Sequence, residues 1–147
     1  MIEKSNIGKE YPERTFEIEK CKIRELARAI GDKNKIFYDE DAAREDAFEG
    51  LAVPPTFFTL FAMAGGLEYV IKDLEINMAK LLHGGQEYEY FKPAKPGDVV
   101  KAKTIITDVI EKSGKAGTMD FVVMETTYIN QNEEPVLRDK CTLVVRR

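Results

Sequence analysis

The chain has 147 residues, 44% of them apolar, which is long enough for one domain with a substantial core. Its 22 Lys and Arg against 26 Asp and Glu give a net charge of −4, with both signs interspersed; a nucleic-acid partner would demand clustered basic residues and is not expected. The polar, charged N-terminus has no apolar leader core, and the longest uncharged stretch, 50–67, contains Pro54-Pro55 and Gly65-Gly66. A membrane span needs roughly 20 predominantly apolar residues, so that stretch reads as a buried core helix. The expectation is a soluble, cytoplasmic, single domain over 1–147 with no membrane partner. Two cysteines, Cys21 and Cys141, and one histidine, His83, cannot assemble a zinc-type cluster, and no metal site is expected.

In chain order, residues 11–18 alternate weakly as a first strand. Residues 20–30 place Ile23, Leu26, Ala27 and Ile30 at helical spacing, and Gly31 fits a helix C-cap. A short connection leads to a small surface helix at 39–47. Residues 56–72 are apolar nearly all round, through Phe57, Phe58, Phe61, Met63 and Val70, and Pro54-Pro55 suits a helix start. A helix apolar on all sides must be wrapped, and strands follow. Tyr88 and Tyr90 alternate with Glu87 and Glu89, and Val100, Ala102, Thr104 and Ile106 face one way. Met119, Phe121 and Val123 alternate with Asp120, and Leu137, Cys141, Leu143 and Val145 with Lys140 and Thr142. The stretch SGKAGT at 113–118 lacks the early Gly and the Ser/Thr after Lys of a phosphate loop, and reads as a hairpin turn between two strands. The pattern predicts an α+β architecture: a long antiparallel sheet wrapped around one central buried helix at about 55–72.

Three segments carry a resemblance: AIGDKNKIFYDEDAA at 29–43, GLAVPPTF at 50–57, and LHGGQEYEYFKP at 82–93 followed by PGD at 96–98. Together they resemble the N-terminal-type domain of the MaoC-like dehydratases, a hotdog-fold family, and in particular the non-catalytic subunits of heterodimeric (R)-3-hydroxyacyl thioester dehydratases. The resemblance implies a hotdog fold and hydration of trans-2-enoyl thioesters or the reverse dehydration. Catalytic members carry Asp followed five residues later by His, because a water must lose a proton for attack at C3 while C2 gains one. Asp32 stands at the Asp position and Asn34 at the Asn that commonly follows, but Phe37 stands where the His belongs. Catalytic members also begin the central helix with His-Gly, whose Gly N–H is thought to bind the thioester oxygen, an interaction of roughly 3 kcal/mol. Pro54 and Pro55 fill those positions, and proline has no N–H; Thr56 is the first donor.

Each residue also has a plainer reading. Asp32 is either a loop acid or the polar remnant of a site; Asn34 is a turn former or a ligand contact; Tyr38 is a pocket wall or a surface aromatic. Phe37 fills the space of the lost imidazole. His83 either replaces the missing base or lines a tunnel, with Gly84-Gly85 permitting a bulge or close backbone approach. Phe57, Phe58, Phe61 and Phe91 read as core, a subset of which can border an acyl tunnel. The candidate site is therefore Asp32 as the acid–base group, with Asn34, Tyr38, Pro55, Thr56, Phe57, His83 and Gly84 as substrate contacts. The function expected is that of a subunit of an (R)-specific enoyl-CoA hydratase or 3-hydroxyacyl thioester dehydratase, paired with a catalytic MaoC-like chain. A homodimeric hydratase or thioesterase using Asp32, with or without His83, and an acyl-CoA-binding module are the alternatives. No cofactor is expected, coenzyme A or acyl carrier protein being part of the substrate.

Overall fold

The computed structural model describes residues 1–114 and 117–147. Five antiparallel strands form one sheet: β1 (Arg14–Glu17), β2 (Leu81–Tyr90), β3 (Val99–Gly114), β4 (Gly117–Ile129) and β5 (Pro135–Arg146), in the order β1-β3-β4-β5-β2. Strand β2 thus lies at one edge. The hairpin expected at 113–118 joins β3 to β4, with Lys115 and Ala116 outside the described residues.

Helix α1 (Lys20–Ala29) buries Ile23 and Ala27 as the spacing predicts, but Ile30 lies beyond its last turn and is exposed. Gly31, at φ +73°, closes it in a Schellman arrangement: Gly31 N–H donates to the Arg28 carbonyl and Asp32 N–H to the Ala27 carbonyl. Helix α2 (Glu40–Glu45) is the expected surface helix, started by the Asp39 carboxylate accepting from the amides of Asp41 and Ala42.

The central helical run differs from the expectation in two ways. It begins at Thr59, because Pro55–Phe58 form a tight turn in which the Phe57 N–H reaches the Pro54 carbonyl and the Thr59 N–H the Thr56 carbonyl. The run then passes from α3 (Thr59–Phe61) through a π-helical segment (Ala62–Gly66) into α4 (Leu67–Asp73). Only one side is buried: Phe57, Phe58, Phe61 and Val70 are interior, whereas Met63 is 74% exposed and Tyr69 is exposed. Just before the π segment, at the last residue of α3, the Phe61 carbonyl accepts from Arg14 Nη1 at 3.1 Å. Gly66 makes room for that guanidinium, since a Cβ there would collide with it.

The phase of β4 is the reverse of the one the alternation suggested. Val122, Met124 and Tyr128 are buried and Met119, Phe121 and Val123 only half-buried. The register explains it. Ala102, Thr104 and Ile106 lie opposite Tyr128, Thr126 and Met124, and directly opposed residues share a face. Asp120 goes inward because the Arg147 guanidinium, at 2.6 Å, and the Ile2 amide, at 2.9 Å, satisfy its carboxylate. Phe91, expected in the core, is exposed just past the end of β2. The remaining aromatics pack tightly, Phe57 and Phe61 edge-to-face at 5.4 Å and Phe16 stacked on Phe61 at 4.4 Å.

Candidate functional site

The residues expected around Asp32 are brought together, but as a folded loop rather than a pocket. Asp32 Oδ1 accepts from the Asn34 amide at 2.9 Å, and Asn34 Oδ1 from the Ile36 amide at 3.3 Å, two consecutive Asx turns. Tyr38 donates its hydroxyl to the Asp32 carbonyl at 2.5 Å. Phe37, 6% exposed, points into the core cluster that includes Phe57, Leu51 and Ala27. Asp32, Asn34, Phe37 and Tyr38 line neither the cavity nor the groove described below.

Pro55 and Thr56 are exposed, and the Pro55 carbonyl is capped by the Tyr90 hydroxyl. Among the described residues the Thr56 N–H has no acceptor. Phe57 is wholly buried. Pro55, Phe58 and Tyr90 wall a shallow apolar groove of about 270 Å³ together with Phe48 and Val53.

His83 and Gly84 belong to a different place. The largely apolar cavity between the helical run and the sheet, of about 340 Å³, is walled by Met63, Leu67, Val70 and Met124. Its polar lining includes Arg14, Thr59, His83, Gln86, Thr104, Thr126 and Asp139. Sequence reasoning singled out His83 but neither Gln86 nor Asp139. These two are linked to it in a row: His83 Nε2 lies 3.0 Å from Gln86 Oε1, and Gln86 Nε2 donates to Asp139 Oδ1. The register shift in β2 between His83 and Gly85 sets this up. A Cβ at Gly84 would lie 2.6 Å from Val144 Cγ2 and 3.1 Å from the Thr142 carbonyl, so only glycine lets β2 approach β5 so closely.

Asp139 is 2% exposed. Burial pushes its carboxyl up to about 6, although the Gln86 hydrogen bond and the nearby His83 pull the other way. Cys141, on the same face of β5, has its thiol pushed up to about 11, chiefly by burial and further by Asp139, so it is no thiolate at neutral pH. Thr104 and Thr126 share a hydrogen bond at 2.8 Å across β3 and β4. Arg14 is the one cation lining the cavity and has no carboxylate partner among the described residues. Beneath this region the buried Tyr128 hydroxyl lacks a hydrogen-bond partner among the described residues.

A long antiparallel sheet in this strand order, folded against one central helical run, defines a hotdog protein of the MaoC-like dehydratase class. Residues 5–139 match the family described as the FAS1-like dehydratase domain region. The chain belongs to that family. It is 32% identical to a UPF0336 protein of Thermobifida fusca over 148 aligned positions, covering 99% of this chain and 94% of the relative. Among solved structures, the C-terminally truncated HadBC (3R)-hydroxyacyl-ACP dehydratase complex from Mycobacterium tuberculosis is similar at 27% identity. Its TM-score is 0.81, with 95% of this chain and 96% of that one covered. The ChsH1–ChsH2 complex from the same organism shares the fold at TM-score 0.76 and 22% identity, covering 94% of this chain and 84% of that one.

No helix of the described residues is long and apolar enough to cross a membrane.

Proposed function

We propose that this chain is the non-catalytic subunit of an (R)-specific enoyl thioester hydratase or 3-hydroxyacyl thioester dehydratase. It pairs with a second hotdog chain that brings the Asp, the His and an intact helix start. Reaction at C2 and C3 needs two proton-handling groups on one water. The observation that carries the reading is Phe37: the position five residues after Asp32 holds a buried phenyl ring in the core, with no atom able to give or take a proton. The one imidazole in the sequence, His83, is engaged with Gln86 on β2 rather than with Asp32.

The absence of a Gly N–H at Pro54 and Pro55 supports the same reading. The Thr56 N–H, without an acceptor among the described residues, lies in the exposed turn before α3, one residue displaced. The substrate is an acyl thioester of coenzyme A or of acyl carrier protein, handled without a metal or redox cofactor, in the cytoplasm. Similarity to one chain of a two-chain dehydratase complex supports the pairing. Hydration of trans-2-decenoyl-CoA, followed by loss of enoyl absorbance, tests it. The chain alone is expected to be inert, and to be required for full turnover when co-purified with a catalytic hotdog chain. Turnover by the lone chain that disappears in Asp32→Ala would overturn the reading.

A further inference from the structure

Phe61 and Val70 lie nine positions apart in the helical run, and both are buried. At about 100° per residue, nine positions along a regular α-helix put two side chains on opposite sides. The π-helical segment between them resolves the conflict. Its closing Leu67 N–H donates to the Ala62 carbonyl five residues back, so one extra residue is taken into a single turn. The effective spacing falls to that of eight residues, and the two side chains come round to within about 80° of each other. Phe61 then packs in the cluster of Phe57, Phe58 and Tyr128, while Val70 packs in the cluster of Ile106, Val122 and Leu143. The π form is rare, and a contact that favours it over the α form is needed.

Arg14 supplies that contact from the edge strand β1. Its Nη1 donates to the Phe61 carbonyl at 3.1 Å, just before the π segment. Its Cζ lies 5.0 Å from the centre of the Phe16 ring, and Phe16 stacks in turn on Phe61. At the far end of the segment the same guanidinium fills the space over Gly66, where a Cβ would lie 2.8 Å from Cζ. One planar fork therefore spans the turn from its first carbonyl to its last residue. Arg14 is half-buried, and no carboxylate stands within ion-pair distance of it among the described residues, so this is the use the fold makes of its charge. We propose that Arg14 is the latch of a two-state helical run: bridging Phe61 and Gly66, it holds the π-helical form, and its release lets the segment rewind towards the α form. Rewinding turns α4 by about 100° relative to α3, which draws Val70 out of its cluster. It also reshapes the wall that Ala62, Met63, Gly66 and Leu67 give to the cavity. The inference does not depend on the proposed function.

Amide hydrogen exchange of the purified chain, followed by mass spectrometry, tests this. Arg14→Met keeps the apolar stem and removes the donors; exchange over residues 62–70 is expected to speed up about tenfold, with the amides of β3, β4 and β5 unchanged. Gly66→Ala places a Cβ where the guanidinium lies and is expected to speed the same amides. Helix propensity alone predicts the reverse, since Ala favours a helix over Gly. Arg14→Met with Gly66→Ala is expected to exchange no faster than either single variant, because both break one latch. Arg14→Lys retains a donor for the Phe61 carbonyl but not the fork over Gly66, and is expected to fall between wild type and Arg14→Met. Unchanged exchange over 62–70 in Arg14→Met, slower exchange in Gly66→Ala, or effects that multiply in the double variant overturn the inference. So does acceleration spread equally over β4 and β5, which marks loss of stability throughout the molecule instead of release of one segment.

Discussion

At position 37 an imidazole would have to sit in an apolar cluster with Phe57, Leu51 and Ala27. Restoring the family residue should therefore not restore chemistry: Phe37→His is expected to cost about 2–4 kcal/mol in urea unfolding and to leave enoyl hydration by the lone chain undetectable. Asp139 carries the opposite kind of cost. Its carboxyl is raised by burial to about 6, so between about pH 4 and 6 the native state holds a proton that the unfolded chain has released. The contribution of this group is then most favourable at low pH and is lost as pH rises from about 4 through about 6. Asp139→Asn, which keeps an acceptor for Gln86, should be more stable than wild type by about 1–3 kcal/mol at pH 7.5. Denaturant titrations at both pH values should show that difference disappearing near pH 4. Asp139 was legible in outline: it sits in phase with Leu137, Cys141 and Leu143 on the inner face of β5, and a charge at an inward position calls for an explanation. Gln86 carried no such signal, because its partner comes from β5 and its position from a bulge.

The same division holds for whole elements. Local chemistry was readable where one residue type is needed for one backbone state. Gly31 ends α1 at φ +73°, and Gly84-Gly85 marks the bulge and close approach in β2. Gly84→Ala forces β2 away from Val144 and Thr142, and is expected to cost about 1–3 kcal/mol, measurable as a lower urea midpoint. The start of the central helix was less legible, because Pro-Pro suits a first helical turn and a tight turn equally well, and the Phe57 and Thr59 amides chose the latter. The π segment at Ala62–Gly66 and its Arg14 contact depend on a residue almost fifty positions earlier, beyond any local pattern. The inward phase of β4 likewise comes from its pairing with β3; Asp120 looked outward-facing only because its partners, Arg147 and Ile2, lie at the two ends of the chain.

On the scale of the whole molecule, the sheet ends on β2, whose outer edge is unpaired among the described residues. Leu82 and Tyr90 on that strand and Met63 and Tyr69 on the helical run are exposed. A strand edge with apolar neighbours is a place for another chain to add. The α+β hotdog architecture followed from alternating strands after one apolar helix, together with three motifs in order. The departures on which the proposed non-catalytic role rests, Phe37 and Pro54-Pro55, stand in the sequence itself. The most direct test of the account is the hydration rate of trans-2-decenoyl-CoA by the purified chain alone, beside Asp32→Ala. The account predicts that both proteins leave the substrate unchanged while remaining folded; hydration by the wild type that vanishes in Asp32→Ala would contradict it.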